Sequence, residues 1–260
     1  MHPGAMQDVF ETRRPAAMAR AEWQVRCELA AAYRLFAQLG WHELIYNHLT
    51  VRVAGTGHFL INPFGLMYRE ITASKLVKVD LDGRKVEPSP WAVNPAGFVV
   101  HGAVHAARPD AHCVVHTHTT AGQVVSCQAG GLLPLSFNAM FYAGRIAYHD
   151  FEGITLDREE CERLAADLGD RNVMILRNHG LLVCGPSIGD AFAEHYMLQR
   201  ACEVQVAAQA TGVPLVQPRE EIAQRASAQY DRTARQGEQN TLLWEAMLRW
   251  AWDLDPAFVS

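Results

Sequence analysis

Apolar and polar positions along the chain switch repeatedly between a helical period and a strand period. Leu29, Ala32, Tyr33, Phe36 and Leu39 recur at helical spacing and Gly40 supplies a stop, which predicts a helix. Beyond it, "LIYNHLTVRV" and "HFLINP" read as strands joined across the turn "AGTG". "TASKLVKVDLDGRKV" predicts a short helix, a strand, a tight turn at Asp82-Gly83 and another strand. "NPAGFVVHGAVHAARPD" predicts a helix with Asn94 as N-cap, Pro95 at its first position and Pro109 beyond its end. A strand follows over "AHCVVHTHT". Asp157 and Glu160 have capping-box spacing before a helix over "CERLAADLG". "NVMIL" and "LLVCG" are short apolar strands around the turn "RNHG". Pro186 and Ser187 open a long helix to about Thr211, and two helical stretches finish the chain.

Interleaved strands and helices with several hairpins predict one α/β domain, with helices on both sides of a mixed sheet. No repeat, low-complexity tract or linker-like shift divides it. At 260 residues the chain can bury a sizeable core, and its make-up, 49% hydrophobic and 20% charged, is that of a globular protein. A net charge of −5 with no long basic run argues against a nucleic-acid surface. No stretch reaches the roughly 20 apolar residues of a membrane span, and "MHPGAMQDVFETRRPAAMAR" lacks the apolar region of a secretory signal. Cys27, Cys113, Cys127, Cys161, Cys184 and Cys202 are scattered without a CxxC, as expected of reduced thiols. These features predict a soluble cytoplasmic protein with neither a nucleic-acid nor a membrane partner.

The histidines carry the candidate chemistry. On a strand, His116 and His118 share a face about 6–7 Å apart, close enough for two imidazoles to meet one ion. Cys113 is an odd number of residues from both, so it faces away and cannot pair with them as a nucleophile. His179, in "RNHGLLV", sits on a turn where backbone can approach a ligand closely. Three imidazoles with open positions define a catalytic metal site, whereas the alternative is histidines satisfied by local hydrogen bonds. His101 and His105 share a helix face, but without an H-E-x-x-H glutamate the structural reading is favoured. His112 lies about 13 Å from His116 along the strand and is a core candidate.

"ARPDAHCVVHTHT" and "ILRNHGLLVCG", with their separation, resemble the class II aldolase/adducin family, supported by "NHLTVR", "INPFGLMY" and "GRIAYHDFEG". The resemblance covers about residues 22 to 212, leaving 1–21 as an N-terminal arm and 213–260 as a C-terminal helical extension. It implies a three-layer α/β/α fold around a large, mainly antiparallel central sheet, and commonly a cyclic homotetramer with active sites near subunit interfaces. It also implies one divalent ion per chain, usually Zn2+ with Fe2+, Mn2+ or Co2+ as alternatives, held by the residues matching His116, His118 and His179. That ion stabilises an enediolate as a carbon–carbon bond breaks.

Departures from the family pattern narrow the expectation. The family's sugar-phosphate aldolases carry two serines and a carboxylate where this chain has Pro95, Ala96 and Gly97. Phe64 stands where a small hydroxyl residue is usual, and His48 replaces a phosphate-binding asparagine. Metal ligands are thus kept while the usual base and phosphate cradle are lost. The helix start at Asn94 can still favour an anion. A small carboxylate-bearing or aromatic, non-phosphorylated substrate is therefore expected, with His48, Gly65 and Gly97 at its binding site and Phe64 favouring something flatter and more apolar. Tyr142, ahead of Tyr148 or His149, is the expected proton donor from across a subunit contact.

Three functions follow. The first is a metal-dependent carbon–carbon lyase, an aldolase or decarboxylase working through a stabilised enolate. The second is a non-haem iron oxygenase or oxidative decarboxylase on the same fold. The third is a non-catalytic adducin-like interaction protein.

Overall fold

The computed structural model describes residues 4–153, 158–234 and 238–260. The expected cap at Asp157 lies outside these. The centre is a mixed sheet of β1 (His48–Arg52), β2 (Phe59–Ile61), β3 (Val77–Val79), β4 (Cys113–Thr117), β5 (Ile146–His149), β6 (Val173–Leu176) and β7 (Gly180–Gly185). Its order is β3-β2-β1-β4-β7-β6-β5, and every pairing is antiparallel except β5 with β6. The α/β expectation holds, with a mainly antiparallel sheet between helices.

Alternation along β4 assigns the two faces. Cys113 and Val115 join a core with α2 (Arg20–Gln38), α7 (Ile188–Ala210) and α9 (Glu238–Leu254). Val114 joins the opposite core, under α3 (Pro95–Ala107) and α6 (Arg158–Leu168). The helix α1 (Ala5–Thr12) contributes Met6 and Phe10 to the first core, and the chain end contributes Trp244, Phe258 and Val259. Both terminal segments are thus built into the same hydrophobic interior as the sheet. The short helices α4 (Thr120–Ser126) and α5 (Phe137–Met140), and α8 (Glu220–Ala234), complete the described α-helices.

Three local expectations give way. The segment after Asp82-Gly83 forms no strand, only an isolated bridge of Val79 with Lys85 and a bond from Val86 N–H to Lys78 O; Pro88 and Pro90, just beyond, offer no N–H to carry the ladder further. The expected short helix before β3 is a single turn closed by Lys75 N–H on Thr72 O. Chain direction reverses before β1, where Leu44 takes a positive φ of 51°, so the strand begins only at His48. Among the described residues, no helix is long and apolar enough to cross a membrane.

Candidate functional site

His116 projects from β4, directly opposite His48 of β1 in the antiparallel register. Directly opposed residues point to the same face, so the two imidazoles share one wall. His118 lies one residue past the end of β4, and His179 sits in the β6–β7 turn. That turn is pressed against β4: a Cβ at Gly180 would run into the carbonyl oxygen of Thr117. Asn178 in the same turn has φ 55°. A glycine at 180 therefore lets the turn close and brings His179 beside His118.

The three ring nitrogens converge. His118 Nε2 is 2.8 Å from His116 Nε2 and 3.0 Å from His179 Nε2. His116 Nδ1 donates to Leu181 O at 2.9 Å, and His118 Nδ1 faces a Glu43 carboxylate oxygen at 3.1 Å. A carbonyl and a carboxylate can only accept, so the protons of both rings sit on Nδ1. Both Nε2 atoms then present lone pairs to each other at 2.8 Å, an arrangement that calls for a cation between them. Burial, followed by mutual repulsion, pushes His116 well below the ordinary histidine range and His179 down to about 4. Burial lowers His118 too, against the pull of Glu43. Neutral rings with bare nitrogens are the form in which histidine binds a metal. Among the described residues this is the one group of at least three His, Cys, Asp or Glu side chains whose ligand atoms come together, all within 4.8 Å. The three can hold one divalent ion.

The site opens into a cavity of about 380 Å³ whose wall includes Glu43, Tyr46, His48, Asn94, Gly97 and Phe151 beside the three histidines. His48 and Gly97 are packed on each other. His48 Nε2 donates to the Gly97 carbonyl oxygen, and a Cβ at Gly97 would lie 3.0 Å from two atoms of the His48 ring. Burial brings His48 down to about 4, so the ring is neutral. Asn94 occupies the N-cap position of α3, yet its side chain caps nothing and lines the cavity instead.

Several expected residues lie elsewhere. Gly65 is exposed with φ 102° and is not part of the cavity wall. Phe64 pairs with Ala92 in an isolated bridge outside the sheet's strands, and the aromatic surface of the cavity comes from Tyr46 and Phe151. Tyr142 is 3% exposed in the α7-side core and donates its hydroxyl to Glu194 O of the same chain. It lines a separate cavity of about 830 Å³ with Arg145 and Glu194, so one chain does not deliver it to the histidines. Tyr148 accepts from Leu132 N–H and lies beneath Arg177, and His149 pairs with Asp167. His101 and His105 bond to Thr50, in keeping with their structural reading.

Glu43 is the site residue that pattern reading misses. It is 75 positions from His118 and belongs to an irregular turn, so no spacing announces it. A carboxylate on the far nitrogen of a ligating histidine fixes ring orientation and raises its basicity.

With this geometry in view, comparison with known proteins places the molecule. The class II aldolase and adducin N-terminal domain matches residues 27–206, and the chain belongs to that family. A class 2 aldolase-family protein of Pseudomonas aeruginosa is 52% identical over 236 residues, covering 90% of this chain and 91% of that protein. Alpha-adducin of Rattus norvegicus is 51% identical over 191 residues, 72% of this chain and 26% of the adducin. The structure of an aldolase II superfamily protein from Pseudomonas syringae superposes with a TM-score of 0.89 at 45% identity, covering 99% and 100% of the two chains. That of L-fuculose 1-phosphate aldolase from Glaciozyma antarctica superposes with a TM-score of 0.78 at 28% identity, covering 95% and 97%.

Proposed function

We propose that this protein is a divalent-metal-dependent carbon–carbon lyase, an aldolase or decarboxylase, acting on a small, non-phosphorylated, carboxylate-bearing substrate. The observation that carries the proposal is the meeting of His116, His118 and His179 Nε2 atoms on the wall of an open cavity. Those three would hold the ion, which we assign as Zn2+, although Fe2+, Mn2+ or Co2+ suit the same donors. When bound, the ion supplies Lewis acidity for negative charge that develops on substrate oxygen. Glu43 and the Leu181 carbonyl keep the His118 and His116 protons on Nδ1 and so keep the ligand atoms bare. The uncapped start of α3, with the Asn94 amide, offers donors and the positive end of a dipole to a carboxylate. Phe151, Tyr46 and Val100 give the rest of the substrate an apolar wall.

Position 97 has no side chain to move a proton, and His48 fills the space beside it. Beside the three histidines, Glu43, Tyr46 and His48 are then the cavity groups within one chain able to take or give one. A phenol from a second subunit of a homotetramer is the other source, and Tyr142 stands as that candidate. Elemental analysis of protein purified without added metal tests the proposal, followed by a lyase screen with and without oxygen. One ion per chain and oxygen-independent cleavage are expected, and oxygen uptake during turnover would move the assignment to an iron oxygenase.

A second reading rests on the 51% identity with alpha-adducin. On that reading the domain is an interaction module. A folded, metal-free protein that takes up no zinc would favour it.

A further inference from the structure

A buried hydrogen-bond relay runs between α3 and the sheet, and its direction can be read from its far end. His105 Nδ1 is 3.0 Å from the carbonyl oxygen of Ala111, which can only accept, so the ring proton is on Nδ1. Burial brings His105 down to about 3 and His101 well below the ordinary range, so both rings are neutral. A neutral His105 presents a bare Nε2 to Thr50 Oγ1 at 2.8 Å and takes the hydroxyl proton. With its single proton committed, Thr50 must accept from His101 Nδ1, 2.7 Å away. His101 is thereby forced into the same tautomer as His105, leaving its Nε2 bare, buried and unpartnered.

The His101 ring lies against His48 with centroids 4.3 Å apart and planes tilted by 31°. His48 carries the opposite tautomer, because its Nε2 donates to Gly97 O. Leaving a buried acceptor unpaired is destabilising, so the relay is an expensive way merely to fill space between a helix and a sheet. A fully directed polar network does something apolar packing does not, which is to fix one orientation of each ring. The ring at its end is the one that touches His48, and His48 lines the cavity.

We propose that Thr50, His101 and His105 are positioning residues, a one-way relay anchored on Ala111 that fixes the His101 ring and so holds His48 in the cavity wall for contact with substrate. The contact with substrate rests on the function proposed above, whereas the direction of the relay does not.

The test uses zinc-loaded protein with 15N-labelled histidine rings, oxalate as a carboxylate probe, and the variants Thr50→Val and Thr50→Ser. In the unsubstituted protein His101 and His105 should be protonated on Nδ1 and His48 on Nε2. Thr50→Val keeps the branched shape and deletes the hydroxyl. It should broaden the His48 ring signal and weaken oxalate binding about 10-fold, the loss of one buried hydrogen bond's worth of order, with zinc content unchanged. Thr50→Ser should restore both. Nε2 protonation of His101 or His105 overturns the relay, and so does a Thr50→Val protein whose His48 signal and oxalate affinity match the parent. The tautomers of the parent need no variant, so a misfolded Thr50→Val leaves that readout decisive. If the zinc-loaded parent binds no oxalate, the carboxylate reading of the cavity falls alone, and the ring signals still decide the relay.

Discussion

The imidazole of His48 lies on the α-carbon of Gly97, so that a Cβ at position 97 would stand 3.0 Å from the ring. Residues 48 and 97, the two positions expected to depart from the sugar-phosphate aldolases, are therefore physically interlocked. A ring at 48 leaves no room for a side chain at 97, and a bare 97 leaves a space that the ring fills. Opposing effects make this testable. Gly97 is inside α3, where alanine is favoured over glycine by about 1 kcal/mol, but overpacking against His48 costs about 1–3 kcal/mol. Gly97→Ala should destabilise the parent and stabilise a His48→Ala background, as measured by urea unfolding around the double-mutant cycle. Additive effects would mean that the two residues are not interlocked.

The metal prediction follows from the nitrogen geometry. Alanine at His116, His118 or His179 should each abolish stoichiometric zinc while leaving a folded chain. Glu43→Gln should keep the ion but weaken its affinity by about 10–100-fold, the usual effect of losing a carboxylate behind a histidine ligand. Competition with a chromophoric chelator reads both. Stripping the ion should also lower the unfolding temperature in proportion to how tightly it was held.

How much of this could be read from the chain itself depends on how local each feature is. His116 and His118 sit at one strand end and His179 beside a turn glycine, so short motifs expose all three. The helix at Pro95 is likewise announced by its own first residues. Glu43 is invisible, because its turn is specified by a positive φ at Leu44 and by packing against a distant histidine. Tyr142 shows the opposite limit. An aromatic residue in a family segment looks available, but its hydroxyl is claimed by Glu194 O, a contact made only in the folded chain. The strand expected after Gly83 stops at a single bridge because Pro88 and Pro90, just beyond Val86, offer no N–H to extend the ladder, which hydropathy does not register.

Substrate charge can be checked directly. With no side chain at 97 and His48 filling the space above it, a sugar phosphate should be cleaved far less efficiently than a small carboxylate of similar shape. Asn94→Ala should raise KM for the carboxylate with little change in kcat, as expected for a contact made equally in ground and transition states. Efficient cleavage of a ketose phosphate would reject this assignment.

Tyr142→Phe separates a packing residue from a proton donor. The hydroxyl bonds a carbonyl of its own chain, so its loss should cost about 0.5–1.5 kcal/mol of stability, and donation across a subunit contact should add a fall in turnover of about 100-fold with metal and assembly intact. A tetramer whose Tyr142→Phe variant turns over within a few-fold of the parent would leave Tyr142 a packing residue.

The last prediction concerns acid. His195 is fully buried between Phe36 and Trp41, and burial brings it down to about 3; His105 is held down to about 3 in the same way. In the unfolded chain both return to the ordinary value near 6.5. Between those limits the unfolded state binds protons that the folded state refuses, so stability must rise with pH through this window. The contribution of these groups is fully present above about 6.5 and is lost progressively as pH falls toward about 3. Each tenfold difference in proton affinity between the two states is worth about 1.4 kcal/mol. Two such groups can therefore remove several kcal/mol, a large share of a typical stability of about 5–15 kcal/mol. Urea midpoints should fall steeply from pH 7 to pH 5, and His195→Gln should reduce that slope by about one proton. A flat profile across that range would show that these imidazoles are protonated in the folded protein after all.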